Sequence, residues 1–251
     1  MKIVLIGCGK MGKAIEDLAL KNGHELILKI NSVNCDEITA SDIANADLAL
    51  EFTTPDVAYN NIMKCFEADI PVVCGTTGWH DRLKEVENYC IKNNKAFFYS
   101  TNFSIGVNLF YELNIFLAKL MNSQSQYDEV LLHESHHSGK LDSPSGTAIS
   151  LANQIISQNE RIKKWVNYKT DESVTLGKET EGEIPIFSTR EEDIPGTHIV
   201  KYFSDVDEIE IIHKALNREG FALGALSAAE WLKGKKGVFG MKDLLKINVY
   251  N

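Results

Sequence analysis

Apolar residues open the chain as a continuous run, Ile3-Val4-Leu5-Ile6, which predicts a short buried strand over residues 2–6. Beyond Gly7-Cys8-Gly9-Lys10-Met11-Gly12, the apolar residues Ile15, Leu18 and Ala19 recur at helical spacing. A helix is therefore expected over 13–22, with Gly23 as its stop. Residues 24–30 alternate and read as a second strand. The pattern then repeats: a strand at 47–52, a helix at 57–68 with Thr54 as cap and Pro55 in its first turn, a strand at 71–74, a helix at 81–93 and a strand at 96–99. Strands alternating with helices predict a parallel sheet with crossover helices, an α/β fold of the Rossmann-type, doubly wound kind.

The pattern changes after residue 104. A long helix is expected over 108–121, a strand over 127–137, a helix over 147–158, and strand-like, turn-rich chain over 160–215. This reads as a second, α+β domain for substrate binding and oligomerisation, spanning 105–218. An apolar helix at 224–233 and the run Leu244-Leu245-Lys246-Ile247 then return to the first domain, so that 219–251 complete 1–104.

Composition narrows the function. Hydrophobic residues make up 44% and charged residues 24%, an ordinary globular balance. Asp and Glu outnumber Lys and Arg, 35 to 26, for a formal net charge of −9. That disfavours nucleic acid or an anionic membrane as partner, though a local basic pocket for a small anion stays open. No run approaches the roughly 20 apolar residues of a membrane helix, and the opening run is too short for a secretory leader. Five widely spaced cysteines with no CxxC pair point to reduced thiols rather than a disulfide framework or a zinc module, which fits a cytoplasmic protein.

Gly7-x-Gly9-x-x-Gly12 has the dinucleotide-binding spacing and sits between a predicted strand and a predicted helix, the context that gives it meaning. The first glycine allows the tight turn, the second close backbone approach to a pyrophosphate, and the third close helix packing, with the helix N-terminus facing the phosphates. The second strand ends at Ile30-Asn31-Ser32, which offers neither an acidic residue for a ribose nor an arginine for a 2′-phosphate. Asn31 fits a ribose hydroxyl and Ser32 a phosphate, so NADH and NADPH stay equal candidates. The loops Phe52-Thr53-Thr54 and Gly75-Thr76-Thr77-Gly78 follow strands and are candidate linings of the nicotinamide half, or plain connections.

The densest polar cluster is His133 to Thr147. One reading takes His133-Glu134-x-x-His137 as a zinc motif, which requires a helix there; Ser138-Gly139 and Ser143-Pro144 argue against one, and no third ligand is evident. Another is an anion-binding, proton-donating site built from His136, His137 and Lys140, with a helix opening at Ser145-Gly146-Thr147 to receive a carboxylate. The third is a polar loop that happens to be rich in histidine. Metal is not expected.

Four blocks together resemble the 4-hydroxy-tetrahydrodipicolinate reductase (dihydrodipicolinate reductase) family: residues 7–12, Gly75-Thr76-Thr77-Gly78, the junction Ser100-Thr101-Asn102-Phe103 through Asn108, and Glu134-Ser135-His136-His137 through Lys140 with Asp142 to Ala148. The resemblance implies NADH- or NADPH-dependent reduction of 4-hydroxy-tetrahydrodipicolinate, with loss of water, in the diaminopimelate route to lysine, by a homotetramer acting on a small dicarboxylic substrate. It implies His136 and Lys140 as the catalytic pair, and His137, Lys140, Gly146 and Thr147 as substrate contacts. Cofactor contacts are implied at residues 7–12, Gly75, Thr76, Thr77, Ser100, Thr101, Asn102 and Phe103, and Phe52 and Asn31 join them from the reading above. The chain departs from the family at Ser138-Gly139, where larger basic or polar residues are frequent, at Asn31, and at Arg190-Glu191-Glu192-Asp193 before Gly196-x-His198.

Overall fold

A computed structural model describes residues 1–31, 33–34, 39–169, 182–217 and 219–247. In chain order its elements begin β1 (Lys2–Ile6), α1 (Lys10–Lys21), β2 (Glu25–Ile30), α2 (Ala40–Ile43), β3 (Leu48–Glu51), α3 (Pro55–Glu67), β4 (Val72–Cys74), α4 (Leu83–Lys92) and β5 (Ala96–Tyr99). There follow α5 (Ile105–Asn122), β6 (Glu129–His137), α6 (Gly146–Gln158), β7 (Lys164–Lys169), β8 (Glu183–Glu191), β9 (Gly196–Phe203) and β10 (Glu208–Ala215). The chain closes with α7 (Glu219–Leu232), β11 (Gly237–Phe239) and α8 (Met241–Leu244). Two compact units result: Met1–Asn108 with Arg218–Asn251, and Leu109–Asn217.

The first unit holds a six-stranded sheet in the order β11-β5-β4-β3-β1-β2, parallel throughout. Alternate residues of each strand serve two cores. Ile3, Leu5, Leu48, Leu50 and Phe98 pack against α1 and α7 on one face, while Val4, Ile6, Ala49, Val72 and Phe97 pack against α3 and α4 on the other. Each such fully buried aliphatic or aromatic side chain contributes about 1.5–3 kcal/mol. α1 starts at Lys10, ahead of the expected 13, because Gly9 already takes the extended N-cap conformation. Thr54 stands at the N-cap position of α3, without a side-chain cap hydrogen bond, and Pro55 sits in its first turn. The edge strand β11 and the one-turn α2 escape a reading by period, since three or four residues do not complete a pattern.

The second unit holds a five-stranded mixed sheet, β10-β9-β6-β8-β7, antiparallel from β10 to β6 and parallel from β6 to β7. Its core joins Phe110, Ala118 and Met121 of α5 and Ala148, Leu151, Ala152 and Ile155 of α6 to the sheet. β6 decides where the chemistry sits. Val130 and Leu132 point into this core, and Glu134 and His136 continue the same buried face towards the strand end. Among the described residues, no helix is long and apolar enough to cross a membrane.

Candidate active site

In the first sheet the strand order reverses between β1 and β3, and ligands of open α/β sheets bind beyond the carboxyl ends of strands at such a point. A cavity of about 860 Å³ lies there, lined among others by Gly7, Cys8, Gly9, Asn31, Phe52 and Thr53. Its floor is backbone. Gly7 has φ +103, and a Cβ on it would stand 2.0 Å from Phe52 O; a Cβ on Gly12 would stand 2.0 Å from Gly7 O. Only glycine permits this close turn between β1 and α1, whereas a Cβ on Gly9 would meet nothing within 4 Å. Such an open, side-chain-free approach to the start of a twelve-residue helix fits a dinucleotide pyrophosphate.

The remaining cofactor candidates divide by what their side chains do. Cys8 is half-buried, with Sγ 3.7 Å from Ile30 O, and Lys10 is exposed at the start of α1. Met11 packs against the core instead of facing the cavity. Asn31 follows β2, its side-chain oxygen accepting a 2.8 Å bond from Val33 N. Ser32 lies outside the described residues. Phe103 is buried, its ring 5.5 Å from that of Phe52 and 5.8 Å from that of Phe98, so only its backbone is offered to a ligand. Ser100 Oγ donates to Asn102 O at 2.7 Å, and Asn102 Oδ1 accepts from Ser104 N at 2.9 Å, which shapes this loop after β5. Thr77 and Thr101 are exposed.

The threonine loops are tied together by a residue the sequence reading passed over. Glu51, at the end of β3, is fully buried. It accepts from Thr76 Oγ1 at 2.6 Å, from Cys74 Sγ at 3.2 Å, from Asn61 Nδ2 at 3.3 Å and from Thr53 Oγ1. Thr76 Oγ1 in turn accepts from Thr53 N at 2.8 Å. The Thr76 hydroxyl therefore faces inward and fixes the β3 and β4 loops relative to each other. A carboxylate closing a strand run, followed by Phe-Thr-Thr, was the available signal.

In the second unit, β6 delivers Glu134 and His136 to the buried face, and the antiparallel register sets Glu134 opposite His198 of β9. Glu134 Oε1 accepts from Arg190 Nη2 at 3.0 Å, and its Oε2 stands 3.1 Å from His136 Nδ1 and 3.9 Å from His198 Nε2. Arg190 also donates to Thr189 O at 2.7 Å, Asp142 O at 2.6 Å and Lys140 O at 3.3 Å. One guanidinium thus joins the buried carboxylate to the loop that carries Lys140. Lys140 Nζ meets the Asp142 carboxylate at 2.7 and 2.8 Å. Ser145 caps α6, its Oγ accepting from Ala148 N at 3.2 Å and lying 3.1 Å from His198 Nε2. Ile149 N donates to Ser145 O at 3.0 Å, so among the described hydrogen bonds the first-turn amides of Gly146 and Thr147 are the two left to receive an anion. His137 lies on the opposite face of β6 from His136 and is half-buried.

Burial pushes the Glu134 carboxyl up, but the polar groups packed around it, His136, Ser145, Ser188 and the bound Arg190, outweigh it and hold the group well below the usual carboxylate range. Burial pushes His198 down to about 3. Folded His198 therefore stays neutral where the unfolded chain, near its ordinary 6.5, takes a proton. The unfolded state binds more protons across that window, so this stability is lost as pH falls from about 6.5 towards 3; Glu134 adds its own loss only below its ordinary 4.5. His198→Asn should flatten the decline in unfolding free energy between pH 7 and pH 5, by on the order of 1–2 kcal/mol at the lower end. A variant with the parent's slope would remove His198 as the cause.

The zinc motif fails on geometry. Residues 133–137 form a strand, so His133 and His137 lie about four strand steps apart, roughly 13 Å. His133 stacks instead on Phe187, centroids 4.9 Å apart. Glu134, His136 and His198 do bring three ligand-type atoms within 4.8 Å of one another, with Arg190 bound to the other oxygen of that carboxylate. Of this cluster the sequence reading assigned His136 and Lys140; Glu134, Arg190 and His198 went without roles. The period-2 alternation of β6 was the signal for Glu134.

Residues 1–103 match the family described as dihydrodipicolinate reductase, N-terminus, and residues 106–245 the family described as dihydrodipicolinate reductase, C-terminus. The chain is 47% identical over 247 residues to 4-hydroxy-tetrahydrodipicolinate reductase of Christiangramia forsetii, covering 98% of each chain. It is 33% identical to the enzyme of that name from Neisseria meningitidis, covering 93% of this chain and 84% of that one. Among solved structures, a dipicolinate-bound dihydrodipicolinate reductase from Paenisporosarcina sp. TG-14 shares the fold at a TM-score of 0.77 and 21% identity, covering 99% of both chains. With a glycine cradle at the switch point, a histidine–lysine cluster beside a helix N-terminus and full-length likeness on both halves, this chain belongs to the dihydrodipicolinate reductase family of NAD(P)H-dependent oxidoreductases.

Proposed function

We propose that the first unit holds the reduced nicotinamide cofactor and the second the dicarboxylic substrate, 4-hydroxy-tetrahydrodipicolinate. The carrying observation is the gathering of His136, the Lys140 loop and the two unengaged amides at the start of α6 in one place. The reaction consumes NAD(P)H and a proton and yields tetrahydrodipicolinate, NAD(P)+ and water. The cofactor supplies hydride. Gly7, Gly9 and Gly12 let backbone amides approach its pyrophosphate, and the loops at Phe52, Gly75–Thr77 and Ser100–Phe103 wall the other half. Lys140 holds a substrate carboxylate or the charge that builds on the ring, and it and His136 supply the balancing proton. The Gly146 and Thr147 amides take a carboxylate.

Dipicolinate, a planar dicarboxylate, should compete with substrate without competing with NAD(P)H. Inhibition competitive with the cofactor instead would remove the division of labour between the units. For the ribose end, Asn31→Asp keeps the local turn and adds a negative charge, so the ratio of kcat/KM for NADH over NADPH should rise about tenfold by repelling a 2′-phosphate. An unmoved ratio would place Asn31 away from the ribose.

A cytoplasmic homotetramer completes the reading. Leu109, Leu113, Phe116 and Leu120 form an exposed apolar stripe along α5, and Ile212 is exposed on the edge strand β10, surface that a second copy would cover.

A further inference from the structure

We propose that Glu134 is the positioning residue for His136: its carboxylate, clamped by Arg190, keeps the proton of the neutral ring on Nδ1 and presents Nε2 to the substrate. This rests on the placement of His136 at the substrate in the proposed function.

The argument begins with cost. Burying a carboxylate costs several kcal/mol even when it is paired, and the same face of β6 is apolar at Val130 and Leu132. An apolar side chain at 134 would extend that core without the cost, so the charge has a task there. Its two oxygens are divided. Oε1 takes Arg190 Nη2 at 3.0 Å, and Oε2 stands at ion-pair distance, 3.1 Å, from His136 Nδ1; neither of these last two buried atoms has an aligned hydrogen-bond partner among the described residues, so the hold on the Nδ1 proton is that of the adjacent charge. The competing ring, His198, is further away at 3.9 Å and engaged with Ser145 Oγ at 3.1 Å. The far nitrogen of His136 is kept clear: a Cβ on Gly196 would stand 3.1 Å from Nε2, and glycine has none. A carboxylate beside one imidazole nitrogen favours the tautomer that carries its proton there.

Arg190 extends the control. By also gripping Lys140 O and Asp142 O, it holds the Lys140 loop to the same carboxylate. The charged and titratable groups around His136 are Glu134 on its own strand, His198 on β9, Arg190 on β8, and Lys140 with Asp142 on the loop; His213 on β10 acts on His198. Of these, Glu134 alone places a negative charge against Nδ1.

Glu134→Gln in the full enzyme, with His136→Ala and Glu134→Asp beside it, tests this. The expected result is a kcat lowered about 10–10²-fold in Glu134→Gln, with an unchanged Kd for NADPH and, by nitrogen NMR, a neutral His136 no longer protonated mainly at Nδ1. Glu134→Asp should recover part of both. A Glu134→Gln enzyme with the parent's kcat and the parent's His136 tautomer overturns the inference. Parent-like turnover in His136→Ala would instead overturn the proposed function on which this rests. Should Glu134→Gln fail to fold, nitrogen NMR of the histidines in the parent enzyme decides directly. A neutral His136 protonated at Nδ1 supports the inference, and one protonated at Nε2 overturns it.

Discussion

Lys140→Ala should lower kcat on the order of 10²–10⁴-fold, the span of a positioned proton donor, and should raise the KM for the dicarboxylic substrate. The side chain is 23% exposed and paired with Asp142 at 2.7 Å, so its charge is held at the mouth of the cluster and is neither buried nor loose. Its backbone is fixed by Arg190 and by the 3.0 Å bond from Lys140 N to His137 O. Alanine leaves that backbone in place and removes only the ammonium, so the loss reads as chemistry more than folding. Ser138 and Gly139 bring no charge of their own, which leaves Lys140 as the cation of this short loop. Dipicolinate affinity should fall with substrate affinity while NADPH affinity holds. A kcat close to the parent's would take Lys140 out of the reaction.

Gly7→Ala should cost about 2–5 kcal/mol of stability and abolish tight cofactor binding. Two independent penalties combine: a left-handed backbone forced on a residue with a Cβ, and an overlap with Phe52 O at 2.0 Å that only movement of the β3 loop can relieve. Relief of that overlap pushes on the loop anchored by Glu51, Thr53 and Thr76, so the cavity should change shape even where the fold survives. Urea unfolding reads the first effect, and NADPH fluorescence titration of the folded protein reads the second. A Gly7→Ala enzyme with parental stability and affinity would contradict this packing.

Much of this was legible in the chain because the signals are local. The Gly7 turn, the Thr54–Pro55 helix start and the Ser145 cap are short-range devices, and each follows from a few adjacent residues. The alternation of strand and helix likewise follows from periods long enough to recognise. What was not legible depends on contacts between distant segments. Arg190 meets Glu134 across 56 positions and His198 meets Ser145 across 53, so neither pair has a spacing to detect. Thr76 shows the same limit: its type suggested a ligand contact, but its hydroxyl is committed to Glu51, 25 residues away. β11 joins the sheet only by pairing with β5, far earlier in the chain.

The most direct measurement is oxidation of NADH and of NADPH by the purified protein with freshly generated 4-hydroxy-tetrahydrodipicolinate, followed by absorbance, with His136→Ala and Lys140→Ala run alongside. Substrate-dependent oxidation of at least one cofactor, with both variants severely impaired, is the predicted result. Cofactor binding without turnover in the parent, or full turnover in both variants, would contradict the assignment of the reaction to the His136–Lys140 cluster.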